Sequence, residues 1–180
     1  MEVKKRAEEA ASNKRIIVRR ALASDLDAVE ETERLCFPVP WSRESLRHDI
    51  EENPLACVLV AELCTDRKEA EGEGLSADEE ENHPIYAGYA DLWLIAGEGQ
   101  LNNIAVLPTM RRLHVGRTLM EALLDFLKEY DAFEMSLEVR VSNEPAVRLY
   151  ESMGFETAGV RKEYYEDNGE DALVMKKALK

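Results

Sequence analysis

Residues 135–141 read Met-Ser-Leu-Glu-Val-Arg-Val, and this run constrains the fold of the 180-residue chain more than any other. Its alternation puts Met135, Leu137, Val139 and Val141 on one face and Ser136, Glu138 and Arg140 on the other, the pattern of a strand with one buried side. Two residues later Asn143 and Pro145 open a helix. An Asn caps free N–H groups, and a proline in the first turn has no N–H to satisfy. Gly154 supplies the left-handed residue that closes the helix. A core strand feeding directly into a short helix calls for a mixed α/β domain rather than an all-helical or all-strand one.

The rest of the chain fits that class. Residues 15–20 form a first strand. Ser24 and Asp27 stand three apart, as a hydroxyl cap and acid do at a helix start, and predict a helix to about Leu35. Phe37-Pro-Val-Pro-Trp41 is a loop, because prolines two apart cannot lie inside a helix. Ser42 caps a second helix to about Glu52, which Asn53-Pro54 ends before an apolar strand over 55–63. Strands follow at 85–95 and 99–107. After the basic segment Arg111–Arg117, Leu119, Leu123, Phe126 and Leu127 keep helical spacing up to Tyr130. Strands at about 155–165 and 171–178 flank Glu166–Glu170, whose Asn168-Gly169 pair signals a hairpin. The order β-α-α-β-β-β-α-β-α-β-β predicts an α/β domain with a mixed, largely antiparallel sheet flanked by helices.

Length and composition bound the function. A chain of 180 residues, 45% hydrophobic and 33% charged, makes one domain with an ample core. The reading is a charged tail over 1–14 and a single domain over 15–180. The longest apolar run, Leu55–Ala61, is far short of a membrane span, and the Lys- and Glu-rich start lacks the apolar core of a secretory signal, so a cytoplasmic location is expected. A net charge of −14 argues against general nucleic-acid binding. Eight acidic and two basic residues fall in 65–83, read as an acidic loop insertion. Cys36, Cys57 and Cys64 are odd in number and lack ligand spacing, which favours small reduced side chains over a disulfide or a metal site.

Two segments carry chemistry. In 101–120 a strand runs through Arg111, Arg112 and Arg117 into a helix, so guanidinium forks surround free N–H groups and a positive dipole end. That combination suits an anion such as a phosphate. No Walker or dinucleotide glycine pattern is present. In 135–155 Glu138 lies on the polar face of the strand. Asn143 and Tyr150, seven apart, share a stripe of the helix, so a carboxylate, an amide and a phenol gather near one junction. Taken singly, each also fits a surface residue, a cap and an edge aromatic.

The run Leu137–Phe155, together with Asn103-Ile-Ala-Val106, the loop 111–117, Pro40-Trp41-Ser42 and Tyr164–Met175, resembles the GCN5-related N-acetyltransferase (GNAT) superfamily. Within it, the resemblance is to the bacterial ribosomal-protein alanine N-acetyltransferases of the RimI type. It covers about 16–178, in the family's order. It implies two central parallel strands that splay to admit acetyl-CoA as cosubstrate, with no metal. Backbone groups of Ile104, Ala105 and Val106 would hold the pantetheine arm. Arg111, Arg112, Leu113, His114, Val115, Gly116 and Arg117 would cradle the pyrophosphate, and Asn143 would touch the cofactor. Glu138 matches the family's general base and Tyr150 its general acid. Phe37, Pro38, Val39, Tyr164 and Tyr165 stand where related enzymes hold an acceptor peptide. The implied partner is a protein N-terminus, that of a basic ribosomal protein, with neither nucleic acid nor membrane. Acetylation of a lysine or a small amine, or a CoA-binding module without turnover, are the alternatives. One departure stands out: where the family loop has its first glycine, this chain has His114.

Overall fold

The computed structural model describes residues 14–65 and 84–179. The expected tail and acidic insertion fall outside these, save Lys14 and Thr65. Those two pair with each other as strand ends instead. The elements are β1 (Lys14–Arg20), α1 (Leu26–Cys36), α2 (Arg43–Glu51), β2 (Ala56–Thr65), β3 (Ile85–Ile95), β4 (Glu98–Val106), α3 (Val115–Glu129), β5 (Glu134–Arg140), α4 (Glu144–Ser152), β6 (Glu156–Tyr165) and β7 (Glu170–Ala178). Their order is the one the sequence predicts. They build a seven-stranded sheet, β1-β2-β3-β4-β5-β7-β6, antiparallel except for β4 against β5.

Helices cover both faces. Leu119, Met120, Leu123 and Leu127 of α3 pack on Cys57, Leu59, Leu101, Met135 and Leu137. Leu26 and Val29 of α1 and Leu46 of α2 pack on Val58, Val60 and Tyr89 from the other side. This explains the unbroken apolar run at 55–61: β2 is buried on both faces, so alternation disappears.

Two local expectations fail. Ser24 does not cap α1. The chain enters through a short 3₁₀ turn at Ala23–Asp25, and the Asp25 carboxylate instead accepts from the Leu22 N–H at 2.7 Å and holds Arg19. Val141 leaves the core face: β5 ends at Arg140, and Val141 is 43% exposed. Ser42 does cap α2, accepting from Ser45 N–H, and Asn143 caps α4 through Ala146 N–H. Gly154 ends α4 at φ +85°.

The sheet opens at its centre. β4 and β5 pair only over Glu98–Leu101 and Glu134–Leu137. Beyond that, β4 stays with β3 as far as Val106, and β5 stays with β7 as far as Arg140. The parting coincides with a β-bulge: Asp91 faces Asn103 and Leu92 faces Leu101, so Asn102 is an extra residue in β4. Bulges bend and overtwist a strand, here swinging the end of β4 away from β5. Gly88 keeps that end tight against β3, since a Cβ there would lie 2.3 Å from the Ala105 carbonyl oxygen.

Candidate active site

The opening is a cleft of about 650 Å³. The end of α1 contributes Cys36 and the α1–α2 loop Phe37, Pro38, Val39 and Trp41; β4 contributes Gln100–Ile104; β5 contributes Glu138, Val139 and Arg140. Asn143 and Tyr150 of the α4 segment and Tyr164–Asp167 of the β6–β7 hairpin complete it. Nine of the residues singled out in the sequence thus meet in one cavity: Glu138, Tyr150, Asn143, Ile104, Phe37, Pro38, Val39, Tyr164 and Tyr165.

Glu138 projects from β5 on the face opposite the buried Leu137 and Val139, as the alternation requires, with its side chain 15% exposed. Its Oε1 lies 3.2 Å from Arg161 Nη2. Tyr150 is buried with its ring 5.9 Å from that of Phe155, and burial pushes its phenol well above the ordinary range. Asn143 spends its Oδ1 on the helix cap, which leaves its amide N–H₂ for other contacts. Arg140 fixes the hairpin: it stacks 3.8 Å from the Tyr165 ring centre and bonds Asp167 at 2.7 Å and Glu170 at 3.2 Å. Hydrogen bonds from Ser142, aided by Arg140 and Asn168, hold Glu170 down at about 2. Burial pushes Tyr165 up to about 12, partly offset by Arg140.

The backbone at the end of β4 divides by strand period. Leu107 N–H donates to Ala87 of β3 at 3.0 Å. Alternate groups in a strand point to opposite sides, so the N–H of Ala105 also turns toward β3, and those of Ile104 and Val106 face the opening. Ala105 is therefore not a donor into the cleft, and its side chain lies in the core beneath α1 and α2.

The basic segment is only partly a loop. Arg111–His114 are irregular, while Val115, Gly116 and Arg117 form the first turn of α3, whose N–H groups lack intrahelical partners. His114 takes φ +64° and Arg112 φ +65°, so the histidine adopts the left-handed conformation that a glycine supplies without strain. Arg111 folds back on the Val106 carbonyl at 3.4 Å, and Arg117 reaches Ser152 Oγ at 2.6 Å. A helix start beside the end of β4, flanked by arginines, fits a pyrophosphate.

Sequence reasoning missed Glu33. It is fully buried in α1, and its carboxylate accepts from Trp41 N–H at 2.7 Å, from Asn103 Nδ2 at 2.6 Å and from the Tyr89 hydroxyl. Two elements that line the cleft, the α1–α2 loop and β4, and the neighbouring β3 are tied to one side chain. Burial raises its pKa, and these hydrogen bonds draw it back. The signal was available: Leu26, Val29, Glu33 and Cys36 share one helical stripe, so a charge stands on the apolar face.

A mixed sheet parted between its two parallel strands, with a helix start at one end of the gap and a carboxylate and a phenol inside it, defines an N-acetyltransferase. The chain belongs to the acetyltransferase (GNAT) family, whose model matches residues 26–155. It is 40% identical over 158 residues, 88% of this chain and 92% of the other, to a Bacillus subtilis (strain 168) protein whose name places it with the [ribosomal protein bS18]-alanine N-acetyltransferases. The crystal structure of the Escherichia coli ribosomal-protein-S18-alanine N-acetyltransferase superposes with a TM-score of 0.72 and 28% identity, covering 92% of this chain and 94% of that one. Arabidopsis thaliana NAA60 in complex with acetyl-CoA shares the fold, with a TM-score of 0.74 at 16% identity and coverage of 91% and 98%. No helix among the described residues is long and apolar enough to cross a membrane.

Proposed function

We propose that this chain transfers the acetyl group of acetyl-CoA to the α-amine of a protein's N-terminal alanine, that of a basic ribosomal protein in the cytoplasm. The observation that carries the reading is the meeting of Glu138, Tyr150, Phe37–Val39 and Tyr164–Tyr165 in one cleft at the strand parting. It agrees with what the relatives' names say of those proteins.

Glu138 removes a proton from the α-ammonium group. The freed amine attacks the thioester carbon, a C–N bond forms, the C–S bond breaks with its electron pair left on sulfur, and the proton that the nitrogen sheds on becoming an amide replaces the one that passes from Tyr150 to the sulfur. N–H groups of Ile104 and Val106 stabilise charge on the carbonyl oxygen. Tyr150 stays protonated at any working pH and donates to the departing sulfur. A phenol raised in this way is a poor acid toward a thiolate, so its main contribution is the hydrogen bond, with the proton following late. Arg111–Arg117 and the first turn of α3 hold the pyrophosphate, and Asn143 offers its amide to the cofactor.

The choice of amine follows from proton affinity. An α-amine with a pKa near 8 is about 10% neutral at pH 7, and a lysine near 10.4 about 0.04%. The ratio of roughly 250 is about 3.3 kcal/mol in favour of the terminus. Phe37–Val39 and the two tyrosines wall a slot suited to a small first residue on an extended chain.

A pooled peptide library incubated with acetyl-CoA and read by mass spectrometry tests this. Alanine-initiated peptides should gain one acetyl on the α-amine at least ten times faster than on any internal lysine. Efficient modification of terminally blocked, lysine-containing peptides overturns the choice of acceptor.

A further inference from the structure

Two arginines stand on the same face of the sheet beside the cleft and are held very differently. Arg140 of β5 and Arg161 of β6 both pair with Ala172 of β7, so their side chains emerge on one side, as does that of Glu138 two residues before Arg140. Arg140 is locked by Asp167, Asn168 and Glu170 and by the Tyr165 ring, with its side chain 22% exposed. Arg161 is 57% exposed, and among the described residues the one carboxylate it pairs with is Glu138, at 3.2 Å. Its other neighbour is the Tyr164 ring, 5.6 Å away. The row that holds Glu138 continues through Val174 to Gly159, where nothing lies within 4 Å of a would-be Cβ. The Arg161 side chain is thus the group that stands over Glu138 from the solvent side.

We propose that Arg161 is a displaceable counter-cation that occupies, in the free enzyme, the place at Glu138 taken by the acceptor's α-ammonium, and so sets acceptor affinity. The inference rests on the reading of Glu138 as the carboxylate that meets the amine. Guanidinium and ammonium compete for the same oxygen. The exchange costs little, because the Arg161 end of the pair is exposed, such a pair stabilises weakly, and the freed guanidinium returns to water. Arg140, with four partners, could not make the exchange. An extended peptide brings further contacts in the slot to drive Arg161 aside, whereas a bare small amine must displace it unaided. The filter therefore favours chain termini. After transfer the amide is neutral and has no claim on the carboxylate, so Arg161 returns as the product leaves.

Arg161→Gln keeps most of the stem and removes the charge. Calorimetry on the CoA-bound protein should find an alanine-initiated peptide with a free amine bound about two- to fivefold more tightly than by wild type, the span an exposed ion pair leaves. The same peptide carrying an N-acetyl group should bind unchanged. Arg161→Lys, which keeps the charge, should hold the wild-type affinity, and in a Glu138→Gln background Arg161→Gln should have no effect. Free-amine binding that is unchanged or weaker, an equal shift for both peptides, or an effect that survives Glu138→Gln overturns the inference. If wild type acetylates no α-amine, the underlying reading fails instead; if it does and the variant does not bind more tightly, only this inference falls.

Discussion

Replacing Glu33 by alanine strips the acceptor from Trp41 N–H, the Asn103 amide and the Tyr89 hydroxyl together. A buried donor left without a partner costs about 1–3 kcal/mol. Part of that loss is offset, because burial already disfavours the Glu33 carboxylate and the variant no longer buries it. Taking the low end for each donor gives a net loss of about 3 kcal/mol, which in a domain of this length lowers Tm by roughly 6–12 °C. Glutamine separates hydrogen bonding from volume. Its oxygen can serve Trp41 N–H while its amide faces Tyr89, whose hydroxyl can accept, and Asn103, whose amide can reverse. That change should cost about 1 kcal/mol, or roughly 2–4 °C. Thermal melts by circular dichroism rank the three proteins. Because Trp41 anchors the loop that carries Phe37–Val39, peptide KM should rise in the alanine variant more than the KM for acetyl-CoA. An alanine variant melting within 2 °C of wild type, or a glutamine variant as damaged as the alanine one, would refute the hub.

Glu138→Gln should cut kcat by roughly 10²–10⁴ with acetyl-CoA affinity unchanged, and near-wild-type kcat at saturating peptide would remove Glu138 from the chemistry. Tyr150→Phe should slow transfer but leave peptide affinity intact, and an acetyl donor with a more acidic thiol should recover the rate; no recovery argues against a role at the sulfur. His114→Gly relieves a left-handed residue of about 1 kcal/mol of strain, which favours stability, and removes a side chain from the segment proposed to hold the pyrophosphate, so calorimetry should find tighter acetyl-CoA binding; weaker binding would make the imidazole a contact. Burial, with the Asp49 carboxylate beside it, raises Asp91 to about 8, against about 3.9 for an unfolded aspartate. The folded chain therefore holds the extra proton between those values, so this group's contribution to stability is full below about pH 4 and is lost as pH rises toward 8, by at most about 1.4 kcal/mol per unit. Asp91→Asn keeps a donor toward Asp49 and an acceptor for Asn102, so its Tm advantage over wild type should widen from pH 5 to pH 8; parallel curves would refute the assignment.

What could be read from the chain was mostly local. Period-two alternation gave β5, and the Asn143 cap and Gly154 bounded α4, because each signal lies within a few residues of its effect. Ser24 misled because its cap role competed with Asp25, whose carboxylate reaches back to Leu22 and also pairs with Arg19. Val141 misled because alternation does not say where pairing stops. Nine residues that the resemblance singles out meet in the cleft, but the division of labour along β4 is not legible in it, because that depends on which side of the strand each N–H faces. The stripe marks Glu33 as a charge on an apolar face but not what satisfies it, because two of its three partners lie 56 and 70 residues away.

The parting of β4 from β5 gives the sheet two further edges, set in its middle rather than at β1 or β6. Polypeptide edges invite strand addition, and a guest bearing amides can dock here as a surrogate strand, recognised through main-chain direction more than through side chains. Exchanging one small apolar residue for another at Ile104 or Val106 should then matter less to cofactor binding than any change in backbone course. Enclosure between two helical layers also hinders a strand of another protein from pairing here, the hazard that peripheral strands carry. The parting is in this sense an unfinished hydrogen-bond ladder, held open by one surplus residue, Asn102.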